Sequence, residues 1–139
     1  ILKQISNEYQ NINFILPVHS NPNIKKIIFL HLSGINNVYL IKPLNYIENL
    51  TYIKYSFFVI SDSGGIQEEI ASFKKRLLIY RKITERPEIL NSFGILVNYQ
   101  NLKKEFNRAT KLQINKKIKN PFGDGKATQK IYKFIKDVI

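Results

Sequence analysis

The run Ser56-Phe57-Phe58-Val59-Ile60-Ser61 breaks directly into Asp62-Ser63-Gly64-Gly65, after which apolar residues recur at helical spacing. A short apolar run bounded by turn residues reads as a strand covered on both faces, and such strands belong to parallel sheets with helices on either side. The rest of the chain repeats this alternation. Strands are expected at residues 13–17, 37–41, 76–80 and 94–97. Amphipathic stretches between them read as helices: the tail of one at 1–9, one starting at Asn21-Pro22, and others near 46–55, 66–73, 102–112 and 127–139. Asn21 is a natural helix cap and Pro22 suits a first helical position. Residues 84–90 read as a loop with a short helical turn. With no internal repeat and no linker-like stretch, residues 1–139 read as one α/β unit, a parallel sheet with flanking helices.

Composition excludes several function classes. There is no cysteine, which removes disulfides, thiolate metal sites and cysteine nucleophiles, and two histidines, His19 and His31, make no histidine-rich metal site. No window approaches eighteen apolar residues, so no membrane span or membrane partner is expected. The chain opens Ile1-Leu2-Lys3-Gln4 with no methionine, an opening that reads as internal to a longer protein and not as a secretory leader. The net charge of +12 suggests a polyanion surface, but 18 of the 22 basic residues are lysine and only 4 are arginine. Arginine is the preferred bidentate ligand for phosphate and base edges. With 23 Ile and 15 Asn alongside the lysines, the charge reads as composition spread over solvated helix faces, and nucleic acid is not an expected partner. In the last helix Ile131, Ile135 and Val138 form an apolar stripe, with Lys126, Lys130, Lys133 and Lys136 on other faces.

The Asp62-Ser63-Gly64-Gly65 turn has the chemistry of a phosphate cradle. It follows a buried strand and opens a helix, so unobstructed amides and the positive end of the helix dipole point the same way. In open α/β sheets such turns lie at the carboxyl edge, where ligands bind. Glu69, a turn further on, offers two acceptor oxygens, enough for two vicinal ribose hydroxyls. From these residues alone, a glycine turn opening a capped helix with two surface glutamates is the favoured reading, since lone glycine patterns recur widely. Arg86 suits a phosphate oxygen or an ion pair with Glu85 or Glu88.

The motifs Pro17-Val18-His19-Ser20-Asn21-Pro22-Asn23, Pro43-Leu44-Asn45-Tyr46, Asp62-Ser63-Gly64-Gly65-Ile66-Gln67-Glu68-Glu69, Thr84-Glu85-Arg86-Pro87-Glu88 and Asn120-Pro121-Phe122-Gly123-Asp124-Gly125-Lys126-Ala127 occur in that order. Together they resemble the non-hydrolysing UDP-N-acetylglucosamine 2-epimerases over essentially the whole chain. The resemblance implies a Rossmann-like parallel sheet with flanking helices, the C-terminal half of a two-domain GT-B-like epimerase fold that needs no metal or cofactor, with the N-terminal domain and the first strand of this domain lying ahead of residue 1. It implies that Ser63, Gly64 and Gly65 hold the diphosphate of a UDP-sugar, that Glu69 holds its ribose and that Arg86 faces the substrate. His19 is similar to a histidine that contacts a second, allosteric UDP-sugar in some members. Leu44 and Asn49 fall where the uracil pocket lies, Asn49 replacing a common aromatic.

The implied reaction interconverts UDP-N-acetylglucosamine and UDP-N-acetylmannosamine in the cytoplasm, by loss of the C2 proton, expulsion of UDP and its re-addition. The acid and base carboxylates come from the family's N-terminal domain, so no catalytic residue is expected in this chain, which alone is expected to be inactive. A family-like homodimer is a further expectation. The alternatives are a catalytically inactive UDP-binding or interaction remnant of a truncated epimerase gene and, more remotely, a basic nucleic-acid-binding domain. Three departures accompany the match: Ala71 replaces a proline, Lys74-Lys75-Arg76 replaces a Gly-Lys-Pro turn, and Phe93-Gly94 replaces a Gly-Thr pair. The 120–127 motif reads as structural, with Asp124 as a cap before the last helix.

Overall fold

The computed structural model describes residues 1–90, 92–112, 114–115 and 117–138. Its elements run α1 (Leu2–Glu8), β1 (Phe14–Pro17), α2 (Pro22–Leu32), β2 (Val38–Ile41), α3 (Tyr46–Tyr55), β3 (Phe58–Ser61), α4 (Gly64–Phe73), β4 (Arg76–Tyr80), a 3-10 turn (Pro87–Ile89), β5 (Gly94–Val97), α5 (Leu102–Lys111) and α6 (Ala127–Val138). All strand pairing is parallel, with helices in every crossover but the one from β4 to β5. The architecture is therefore α/β, as the alternating pattern predicts. Periodicity does not encode which strand pairs with which. The strands form a pair, β1-β2, and a three-stranded sheet in the order β3-β4-β5, and the chain divides into two compact units, Ile1–Tyr52 and Ile53–Ile139. Residue 139 of the last expected helix lies outside the described residues.

In the first unit, Asn21 caps α2 as expected, its Oδ1 accepting the Asn23 N–H at 2.9 Å with Pro22 in the first turn. The joint between α1 and β2 rests on one buried amide. Asn37 Nδ2 donates to the carbonyls of Ser6 (3.0 Å), Tyr9 (3.1 Å) and Ile12 (2.9 Å), satisfying acceptors at the frayed end of α1 and in the turn after it. Asn37→Ala is expected to cost about 2–3 kcal/mol, because it strips partners from buried carbonyls and fills nothing. Urea denaturation followed by a probe in the first unit checks this.

The second unit has its core around β4, whose Leu77, Leu78 and Ile79 are fully buried. Ile53, Ile70, Ala71, Ile89 and Phe93 pack with Leu77 and Ile79. Two of the departures from the family pattern lie in α4 and at its end. Ala71, 1% exposed, is a core residue of α4, where a small side chain fits. Lys74 takes the left-handed conformation (φ 51°) that ends α4, a position where glycine carries no steric cost. The apolar stripe of α6 contributes nothing to this core: Ile131, Ile135 and Val138 are 59%, 48% and 70% exposed.

Candidate functional site

Two segments of the second unit form the candidate site, one leaving the carboxyl end of β3 and the other leaving β4. After Ser61 the chain turns sharply, because the Ser61 hydroxyl accepts the Ser63 N–H at 3.1 Å. Arg81, just past β4, donates from Nε to the Asp62 carbonyl at 2.6 Å and ties the turn to its neighbour. Ser63 has extended backbone (φ −71°, ψ 131°) and caps α4 in position only, since its side chain makes no capping bond. Helix α4 starts at Gly64, two residues earlier than the periodicity predicts, so both glycines belong to its first turn. First-turn amides have no partner within their own helix, and no acidic side chain occupies that turn. The dipole and the donors thus favour an anion together.

Glycine matters at both positions, for different reasons. A β-carbon on Gly64 would stand 2.9 Å from Nη1 of Arg86, so the guanidinium lies directly against the turn. A β-carbon on Gly65 would have nothing closer than the Ser63 hydroxyl at 3.9 Å, which leaves that side of the turn open to approach. Arg86 is held by two carboxylates: Nε pairs with Glu68, and Nη1 lies 3.4 Å from Glu85. Glu85 also pairs with Arg81 at 3.4 Å, while the Glu88 carboxylate is in no ion pair among the described residues. The hydrogen bond Arg86 donates to Glu68, with the nearby carboxylate charge, raises the Arg86 pKa above its ordinary value and keeps the guanidinium charged.

Beneath this surface network lies a buried one. Gln67 is fully buried, with Nε2 donating to the Ser63 carbonyl at 3.3 Å and Oε1 accepting the Thr84 hydroxyl. The Thr84 oxygen in turn accepts the Arg86 N–H at 3.1 Å. Gln67, Glu68, Thr84 and Arg81 were not singled out by sequence reasoning. One signal was available for Glu68: it stands four residues after Gly64, on the same helix face. Glu69 stands four residues after Gly65 and is half-buried, and its carboxylate has no hydrogen bond or ion pair among the described residues.

The structure thus brings Ser63, Gly64 and Arg86 together and sets Gly65 and Glu69 on the same helix. His19, Leu44 and Asn49 belong to the first unit. His19 follows β1, is exposed, and accepts the Asn21 N–H on Nδ1 at 3.1 Å. Leu44 precedes α3 and Asn49 lies in its first turns, both half-buried. Among the described residues no group of three His, Asp or Glu is placed to hold a metal ion. The 120–127 motif plays a structural part at α6: Asp124 accepts the Lys126 N–H at 3.0 Å and pairs with Lys130 at 3.2 Å.

A glycine turn under an arginine is shared by many phosphate-binding proteins, so comparison with known proteins decides the family. The sequence profile of UDP-N-acetylglucosamine 2-epimerases matches residues 1–136. The chain belongs to this family. It is 37% identical over 138 residues to the UDP-N-acetylglucosamine 2-epimerase of Salmonella borreze, covering 94% of this chain and 36% of that protein. To the Campylobacter jejuni enzyme of the same name it is 39% identical, with the same coverage. The crystal structure of the Neisseria meningitidis epimerase bound to UDP-GlcNAc superimposes with a TM-score of 0.83 at 33% identity, over 98% of this chain and 39% of that one. The S. aureus MnaA–UDP co-structure gives 0.86 at 30% identity, over 99% and 39%. The chain therefore spans a little over a third of the length of the epimerases it matches. The described residues contain no helix long and apolar enough to cross a membrane.

Proposed function

We propose that this chain is the nucleotide-binding part of a UDP-N-acetylglucosamine 2-epimerase of GT-B-like architecture, acting in the cytoplasm as a homodimer. The first turn of α4 takes the diphosphate of the UDP-sugar, Arg86 takes one of its oxygens, and Glu69 accepts from the ribose hydroxyls. Leu44 and Asn49 flank the uracil, and His19 contacts a second UDP-sugar. The observation that carries this reading is the juxtaposition at Gly64: amides without helical partners, an unengaged Ser63 hydroxyl, and a charged guanidinium within contact of the same turn.

This geometry assists the reaction of the family at one stage. Removal of the C2 proton and departure of UDP leave an unsaturated sugar; re-addition of UDP with protonation of C2 on the opposite face gives the epimer. Negative charge grows on the phosphate oxygen that leaves C1, and donors already oriented toward it lower the barrier without reorganising. The groups that move the C2 proton come from the family's N-terminal domain, so the 139-residue chain alone binds UDP weakly at best and does not epimerise the sugar.

A titration with UDP tests the site. Glu69→Ala is expected to weaken binding about tenfold, the scale of hydrogen bonds to a charged group. Unchanged affinity in this variant would remove Glu69 from the site.

A further inference from the structure

Gln67 is buried in the wall of a surface site, which is costly for an amide unless its polar atoms are paired. Its partners dictate its orientation. The Ser63 carbonyl only accepts, so the amide nitrogen must face it, and the amide oxygen is left for the Thr84 hydroxyl. Thr84 has spent its single proton on Gln67, so its oxygen is free to accept the Arg86 N–H. Each bond therefore fixes the next, from the cap of α4 to Gln67, across seventeen positions to Thr84, and on to the backbone of Arg86. Arg86 has φ −128° and ψ 68°, outside both helix and strand, so the backbone there depends on such external support.

On the reading of Arg86 as a phosphate ligand, we propose that Gln67 and Thr84 are positioning residues that set the guanidinium over Gly64. They touch no ligand themselves. They hold the 84–88 loop at the height of the Ser63-Gly64-Gly65 turn, so that amides and guanidinium address one anion together. Glu68 completes the support from the side: it binds Nε and orients the plane of the guanidinium, and a side chain already oriented loses less entropy on meeting a phosphate.

Thr84→Val is the informative change, since it keeps shape and removes both hydroxyl bonds; Thr84→Ser restores them. Two measurements are made on the same chain. The first, without nucleotide, follows the Arg86 Nε–H resonance by NMR through its heteronuclear NOE and solvent exchange. It should be restrained in the wild type and in Thr84→Ser, and mobile in Thr84→Val and Gln67→Leu. The second compares affinity for UDP and for uridine. Thr84→Val should lose about tenfold for UDP and nothing for uridine, which has no phosphate, and Thr84→Ser should stay within about twofold of wild type on both. An Arg86 resonance equally restrained in Thr84→Val overturns the positioning role, whatever binds. Failure of the wild type to bind UDP, with Arg86 nonetheless freed in Thr84→Val, overturns the nucleotide reading and leaves the positioning role supported.

Discussion

Gly65→Asp is expected to abolish measurable UDP binding while leaving the fold as stable as before or slightly more so. The position is exposed, a β-carbon there meets nothing within 3.9 Å, and its backbone is not left-handed, so a side chain enters without strain. Exchanging glycine for a residue with a side chain removes chain entropy from the unfolded state, and an acid in the first helical turn complements the dipole. Together these contribute about 0.5–1 kcal/mol of stability. For a diphosphate at the same turn the change is severe. A carboxylate about 5 Å from a phosphate charge costs about 3 kcal/mol at an effective dielectric constant near 20, which corresponds to an affinity loss of at least about a hundredfold. Calorimetric titration with UDP beside a thermal melt gives both quantities, and a fall in melting temperature that tracks the loss of binding would contradict the expectation.

The second large effect is on the core. Phe93→Ala should destabilise the second unit by about 3–5 kcal/mol, a large part of what holds a domain of this size together. Phe93 is fully buried against the β4 cluster, its N–H donates to the Ile89 carbonyl at 3.0 Å, and its carbonyl accepts the Leu77 N–H at 2.9 Å. The next residue is its complement. A β-carbon on Gly94 would stand 2.8 Å from Cδ1 of Ile79 and about 3.0 Å from Ile89, so the small residue is what lets these side chains close over the strand. The Phe93-Gly94 pair, a departure from the family pattern, is thus a packed unit in which one large residue fills the core and its neighbour makes way. Guanidinium denaturation with a probe in the second unit measures the cost.

These two positions also show what was legible in the chain. Strands 76–80 and 94–97 and helix 46–55 could be read to the residue, since their periods and stop signals are local. The Asn21-Pro22 helix start was equally plain, because a cap acts on amides two or three residues away. The α4 start was read two residues late: glycine pairs usually belong to turns, and here the first helical turn itself is made of them. The apolar stripe of α6 was visible as a stripe, while its exposure among the described residues was not, since amphipathicity shows a face without showing what covers it.

The sequence by itself determined the α/β alternation, the order of five motifs that assign the family, and a glycine turn between a buried strand and a helix, because each rests on near neighbours or on residue type. Only the tertiary structure decided that Arg86 pairs with Glu68 and Glu85 and leaves out Glu88, and that Gln67 is buried beneath the turn. Those contacts join residues seventeen and eighteen positions apart through the parallel pairing of β3 with β4. Which strand lies beside which is set by how the apolar faces close on one another, and that is a property of the packed whole.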